Sequence, residues 1–323
     1  MIRLELLRHD HSEIESVKAE DISTVISQPD SLLWIDLADP TDADFKMLAQ
    51  EFDFHPLALE DARKEGQRPK LDQYPTFLFI IFYAVQVISD ARAFSTQELA
   101  LFVGANYLVT IHRQPVPTLE DVATRWRQNA ANLHGEGVAI LLYSILDTIV
   151  DSYFPILDEV AERIDSMEEA IFNRAGKDAL QTLFQHRKNL LALRRVIAPE
   201  RDLTGMLVRR DLELLGPATA VYFQDVYDHV LRVTDALDTY RDLLSGALDA
   251  YLSVVSNNLN QVMRTLTAWS IILMSVTLIA SIYGMNVALW PANGSVVAGA
   301  FSVTMMGAIG AILFVLFKGI NWI

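Results

Sequence analysis

The stretch TLTAWSIILMSVTLIASIYGMNVALWPANGSVVAGAFSVTMMGAIGAILFVLF, residues 265–317, decides the architecture of this chain. Its 53 residues hold no Asp, Glu, Lys or Arg; the charges stop at Arg264 and resume only at Lys318. Two runs within it, 266–283 and 296–317, are each long enough to cross a bilayer, which takes about 20 apolar residues. Residues 284–295 between them carry Pro291, Asn293 and Gly294, which is turn chemistry. An uncharged hairpin can also be the core of a soluble protein, but 53 residues is too long for that. The expectation is two membrane spans joined by a short loop.

Outward from this stretch the chain changes character. The whole chain has 323 residues, 26 Lys plus Arg, 41 Asp plus Glu and a formal charge of −15, yet its mean hydropathy is +0.23. Removing Lys318 leaves 25 cations and 41 anions in residues 1–264, a net of −16, so acid and apolar residues are segregated along the chain. An excess of acid argues against a nucleic-acid partner, which needs cations to neutralise phosphate. The absence of Cys excludes disulfides, thiolate metal sites and a cysteine nucleophile. Arg264 and Lys318 flank the two spans, while their connecting loop has neither Lys nor Arg. Positive residues stay inside, so both ends are expected in the cytoplasm and the loop outside a plasma (inner) membrane. The first residues, Met1-Ile-Arg-Leu-Glu-Leu-Leu-Arg, lack the apolar run of an export signal, which agrees with a cytoplasmic 1–264.

Residues 32–37, 76–85 and 107–112 read as strands from their aromatic and branched content. Residues 41–51 and 55–63 read as helices, with Pro40 and Pro56 at their starts. This is an α+β pattern with a mixed or antiparallel sheet. From Pro117 onward the pattern is helical. Residues 138–172 carry an acidic end (Asp158, Glu159, Glu162, Asp165, Glu168, Glu169), and 177–210 carry Arg187, Lys188, Arg194, Arg195, Arg201, Arg209 and Arg210. The plain reading is a helical hairpin whose faces attract.

No Pro falls between Pro217 and Pro291, so one helix can run from about Ala218 into the first span, a rod of ~100 Å at ~1.5 Å per residue. Along it Val226, Val230, Val233, Leu237, Tyr240, Leu244, Ala247, Tyr251 and Val254 alternate steps of four and three. Such a heptad seam calls for packing against other helices, and its continuation into a span suggests several copies side by side. A second stripe follows: Asn260, Met263, Leu266, Ser270, Met274, Thr277, Ser281 and Gly284. It mixes small, hydroxyl, amide and thioether groups. Tight helix–helix contact and the lining of a water-filled pore with apolar constrictions explain it equally well.

The first span closes on Tyr283-Gly284-Met285-Asn286. A Gly-Met-Asn tripeptide after the first of two C-terminal spans resembles the signature of the CorA family of divalent-cation transporters. The likeness extends through His55-Pro-Leu-Ala-Leu-Glu-Asp with Gln67-Arg-Pro-Lys, Gln97-Glu, Gly104-Ala-Asn-Tyr-Leu-Val-Thr-Ile-His, Phe223-Gln-Asp-Val-Tyr-Asp-His and Tyr251-Leu-Ser-Val-Val-Ser-Asn-Asn-Leu-Asn-Gln-Val-Met. The resemblance implies a funnel-shaped homopentamer in the bilayer that carries Mg²⁺, with Co²⁺, Ni²⁺ or Zn²⁺ as alternatives. It implies an α+β cytoplasmic domain at 1–135, a helical hairpin at 136–216 and a stalk at 217–264. Spans would follow at 265–284 and 296–317, around an external loop at 285–295, with a cytoplasmic tail at 318–323. It decides the stripe in favour of a pore, with Gly284, Met285 and Asn286 as selectivity filter. It also places a sensing carboxylate at Asp225, with His229 at i+4 and Asp228 nearby, and a partner at Asp90 of a neighbour. A solvated acidic face explains Asp225 equally well.

An Asn ring suits the family's ion, because Mg²⁺ gives up its waters reluctantly and amide oxygens can hold the hydrated ion without trapping it. Four departures from the family pattern bear on selectivity and gating, the first that the register of the sensing partner lands on or beside Ile88, leaving Asp90 as the candidate. The loop Leu289-Trp-Pro-Ala-Asn-Gly has no acid, Ser275 replaces a Pro, and the basic tail is reduced to Lys318. His9, Asp10 and His11 form a separate transition-metal candidate. No Gly-rich phosphate loop, serine elbow or catalytic carboxylate pair is evident, so an enzyme is not expected. A membrane-anchored sensor without conduction remains the rival of a different class.

Overall fold

A computed structural model describes residues 2–8, 14–28, 30–88, 93–128, 137–173, 177–209, 212, 214–285, 290 and 296–323. By contact density the chain divides into two units, Met1–Glu168 with Gln181–Ser245, and Glu169–Leu180 with Gly246–Ile323.

The first unit is built on a seven-stranded sheet. Its strands are β1 (Ile2–Arg8), β2 (Ile14–Ser16), β3 (Ser31–Ala38), β4 (Lys70–Gln73), β5 (Leu78–Ile88), β6 (Ala93–Val103) and β7 (Tyr107–His112). The order is β2-β1-β3-β7-β6-β5-β4; only β3 and β7 pair in parallel, and the other pairs are antiparallel. The expected strands 32–37 and 107–112 match β3 and β7, and 76–85 overlaps β5, which starts two residues later and runs on to Ile88. β3 and β7 are buried almost throughout because both faces of the sheet are covered. One face packs Leu33, Ile35, Phe79, Phe102 and Val109 against α1 (Ile22–Ile26), α2 (Asp42–Glu51) and α3 (Pro56–Arg63). Thr41 caps α2 with a reciprocal Thr–Asp44 box, and His55 caps α3 ahead of Pro56. On the other face Trp34 meets Trp126 of α4 (Pro117–Gln128), ring centroids 5.4 Å apart.

The β6–β7 turn requires Gly104. A Cβ there would lie 2.2 Å from the Tyr107 ring, while its N–H donates to the Tyr107 carbonyl at 2.9 Å.

Residues 138–172 form two helices, α5 (Val138–Asp151) and α6 (Tyr153–Asn173), broken at Ser152. The stretch is apolar enough to cross a membrane, but half of its most apolar window is buried in the protein; Leu142, Ile145, Leu146, Ile149 and Val150 of α5 are core. Then come α7 (Lys177–Arg209), with Pro199 inside it, and α8 (Ala220–Tyr283). The expected attraction between an acidic α6 and a basic α7 is corrected. Among the described residues no ion pair joins them; Arg194 of α7 pairs with Asp238 of α8 at 2.8 Å.

The sheet edge beyond β4 is closed by side chains. β4 covers β5 only as far as Ile81. At Tyr83 the backbone N–H donates to Glu200 Oε1 of α7 at 2.9 Å, and the carbonyl accepts from the Tyr153 hydroxyl at 2.5 Å. The Tyr153 oxygen also lies 3.0 Å from Glu200 Oε2. A hydroxyl has one proton to give, so a proton on Glu200 completes this ring of bonds. Full burial holds the Glu200 carboxyl well above the usual carboxylate range, which keeps that proton in place.

The heptad seam also departs from its expected role. Val226, Val230, Val233 and Leu237 have no exposure at all with a single chain present, and Leu244 has 2%. This part of the seam is therefore covered within its own chain, while Tyr240 and Val254 farther along stay partly exposed. In the second unit, α8 continues into the first apolar run, and α9 (Val296–Gly319) contains the second. Both are long and apolar enough to cross a membrane.

Candidate functional site

Two constellations carry chemistry, one in each unit. The first is the stripe on α8. Ala268 and Ile272 are buried against Phe317, Leu313 and Trp322 at the α9 end of the chain, and the Thr265 hydroxyl donates to the Trp322 carbonyl at 2.9 Å. Trp269 meets Phe314, and Tyr283 meets Phe301, with centroids 6.2 and 6.3 Å apart. At about 100° per residue, Met263, Leu266, Ser270, Met274, Thr277 and Ser281 project from the side of α8 opposite this contact. All six, and Asn260, are exposed in the single chain; Met274 reaches 70%.

The hydroxyls on this side are oriented by the helix itself. Ser270 donates to the Leu266 carbonyl and Thr277 to the Leu273 carbonyl, each at 2.8 Å. With their protons used inside the helix, both oxygens present lone pairs outward. That is an acceptor surface, suited to the water shell of a cation. At the end of α8 the Gly284 N–H still donates to the Ala280 carbonyl at 3.0 Å, and Met285 donates to Ile282 at 3.2 Å. A Cβ on Gly284 would lie 3.2 Å from the Ala280 carbonyl oxygen, so a larger residue would crowd the exit from the helix. Asn286 lies outside the described residues, as do Asp90 and the His9–Asp10–His11 candidate.

The second constellation joins α5 to α8 in the first unit. One ligand atom from each of Asp147, Asp151 and His229 lies within 4.8 Å of the others. His229 Nδ1 is 3.4 Å from Asp151 and 3.9 Å from Asp147, and its Nε2 is 3.8 Å from Asp225. Nδ1 is buried without a hydrogen-bond partner, and the ring is held edge-on by Phe154 at 5.8 Å. Burial, then the Asp151 charge, raises the Asp147 carboxyl above its ordinary value, and Asp225 adds to the rise against the opposing pull of His229 and Arg125. The same three carboxylates, after burial, raise the neighbouring Tyr143 hydroxyl. Asp147, Asp151 and the unsatisfied, buried Nδ1 of His229 form a donor set that fits a divalent cation, with Asp225 beside the opposite ring nitrogen.

Of the expected sensing residues the structure brings Asp225 and His229 together. It does not bring Asp228, which instead accepts from Gln224 at 2.8 Å. The cluster members that the sequence reading missed are Asp147 and Asp151. Their signal was present: they are the only charged residues of α5, four apart on an otherwise apolar helix.

A family model described as CorA-like Mg²⁺ transporter protein matches residues 29–318. A cobalt/magnesium transport protein CorA of Thermotoga maritima is 32% identical over 323 residues, covering 99% of this chain and 92% of that protein. Another of that description, from Methanocaldococcus jannaschii, is 26% identical over 293 residues, covering 90% and 92%. The complete structure of the M. jannaschii CorA magnesium transporter superposes with a TM-score of 0.83 at 23% identity, over 100% of this chain and 99% of that one. A sheet domain, a 64-residue helix followed in the sequence by Gly-Met-Asn, a second apolar helix and these matches over nearly the whole length agree: the chain belongs to the CorA-like Mg²⁺ transporter family.

Proposed function

We propose that this protein conducts divalent metal cations, Mg²⁺ foremost and Co²⁺ beside it, through a pore at the axis of a homopentamer. The observation that carries the reading is the position of the α8 stripe. It lies on the side opposite the α9 contact, and its hydroxyl protons are turned inward. Gly284, Met285 and Asn286 form the outer filter, where amide oxygens accept from the ion's water shell. Asn260, Met263, Leu266, Ser270, Met274, Thr277 and Ser281 line the path, with Leu266 and Met274 closing it by excluding water. Residues 1–264 and the tail lie in the cytoplasm, and the membrane potential, at ~2.3 kcal/mol per charge per 100 mV, draws the cation inward.

Asp147, Asp151, Asp225 and His229 form the regulatory site in this reading. A bound divalent ion relieves the repulsion among the carboxylates, with Asp90 of a neighbouring copy as a further ligand. A second reading, transport of Zn²⁺ or another transition metal, draws support from the imidazole in this cluster, because nitrogen ligands favour such ions over Mg²⁺.

Ion flux into proteoliposomes, measured for Mg²⁺, Co²⁺, Ni²⁺ and Zn²⁺, tests both readings. Mg²⁺ flux that is lost in Asn286→Ala is the expected result. A Zn²⁺ preference favours the second reading. Flux indifferent to Asn286 removes the filter, and no flux for any ion leaves a non-conducting membrane sensor.

A further inference from the structure

The basic run of α7 makes no ion pair with α6 among the described residues. It does, however, line a cavity. Arg194, Arg195 and Arg201 of α7, together with Arg68 of the Gln67-Arg-Pro-Lys segment, border one open groove of about 700 Å³ in the first unit, beside Tyr83 and Pro199. Arg194 is committed to Asp238 at 2.8 Å and Arg201 to its neighbour Asp202 at 3.1 Å. Arg68 and Arg195 are exposed and make no ion pair among the described residues. In a chain of net charge −15, two unpaired guanidinium groups in one concavity stand out, because acidic partners are abundant elsewhere. The floor is buried and partly apolar, from Pro69, Val196 and Pro199.

We propose that this groove binds a polyphosphate-bearing small molecule of nucleotide size, such as a nucleoside di- or triphosphate. The volume falls within the range of about 300–1,000 Å³ usual for small-molecule sites. Guanidinium forks bind phosphate oxygens in pairs and stay charged at every physiological pH. Backbone donors are not the recognition device: the N–H groups of Gly66 and Gln67 already donate to Glu98 at 2.6 and 2.9 Å. The arginines therefore carry the anion, and the apolar floor receives the uncharged part of the ligand.

Calorimetric titration of the full-length protein in lipid nanodiscs and Mg²⁺-free buffer tests this, with ATP, ADP, pyrophosphate, inorganic phosphate and citrate as probes. Saturable binding is expected, ATP tightest and inorganic phosphate weakest. Arg68→Gln with Arg195→Gln is expected to weaken ATP by about 100-fold, roughly tenfold for each charged hydrogen-bonding group. Both side chains are exposed, so an unchanged melting temperature is expected, and the conservative Arg195→Lys should fall between wild type and the double variant. No saturable polyphosphate binding overturns the proposal, as it would if a neighbouring copy covered the groove. Citrate binding as tightly as ATP, or an affinity untouched by the double variant, overturns it as well. Flux plays no part in the readout, so failure here is separate from failure of the transport reading.

Discussion

The two halves of α8 solve opposite problems with similar spacing. From Val226 to Leu244 the periodic residues, the half-buried Tyr240 apart, are buried within their own chain, so this half is held by its own fold. From Met263 to Ser281 the periodic residues are exposed, and only the side bearing Ala268 and Ile272 is covered. The contrast teaches that a three-four repeat states that a helix face is covered, but not by what. In the first half other helices of the chain cover it; in the second the cover is left to lipid, water or further copies.

The largest expected effect breaks the first half. Val230→Asp puts a carboxylate at a site with no exposure, where an unpaired charge costs more than about 4 kcal/mol. The protein should fail to fold or melt far lower in a thermal scan. Leu243→Asp, at 44% exposure on the same helix, should change stability by no more than about 0.5 kcal/mol. A large loss there would reveal that another copy covers this face.

A second variant tests whether the interior of the first unit depends on a neutral acid. Glu200 titrates well above an ordinary carboxyl because it is fully buried, so the native state keeps a proton that the unfolded chain gives up at about pH 4.3. Stability is then full below that pH and declines as pH rises toward the folded value. Glu200→Gln keeps an acceptor for the Tyr83 N–H and cannot ionise. Melting temperature against pH should therefore fall less steeply in the variant. The half-buried Glu98 carboxyl and the His112 imidazole paired with Asp36 both titrate high as well, so a residual slope of the same sign is expected.

Much of this was legible in the sequence, for identifiable reasons. The apolar runs declared both membrane-length helices, because a charge-free stretch of that length has few other uses. β3, β5 and β7 were legible because strands buried on both faces are continuously apolar. β2 and β4, with three and four residues, are too short to show a period, and β6 interleaves Ser, Gln and Glu with its apolar residues. The partner of the seam was not legible, since a heptad pattern is the same within and between chains. Asp225 and His229 emerged from their i, i+4 spacing, whereas Asp147 and Asp151 join them from 74 residues or more away in sequence. Only tertiary structure makes that pairing.

The metal cluster gives the next largest effect. His229→Ala removes the one nitrogen ligand, and Co²⁺ affinity, followed by its visible absorption, should fall at least about tenfold. Protons compete with the metal for Asp147, whose carboxyl titrates above the ordinary value near 3.9. Affinity should therefore decline, as pH falls, before an ordinary aspartate would protonate. Affinity that His229→Ala leaves intact would place the cation elsewhere.

The smallest effect bears most directly on what faces the second half of α8. Thr277→Val is close in shape and removes only the hydroxyl, whose proton now serves the Leu273 carbonyl at 2.8 Å. The residue is exposed in the single chain, so stability should shift by no more than about 0.5 kcal/mol. If the oxygen accepts from the water shell of a passing cation, losing that bond of about 1 kcal/mol should reduce flux roughly fivefold. If Thr277 faces lipid, an apolar methyl is as welcome as a hydroxyl already satisfied within the helix, and flux should not change. Leu278, exposed at 61% and one residue on, supplies the contrast. It projects about 100° away around the helix, and Leu278→Val should leave flux at the wild-type level. Equal sensitivity at both positions would mean that conduction responds to any disturbance of the span, and the stripe would lose its standing as the lining of a pore.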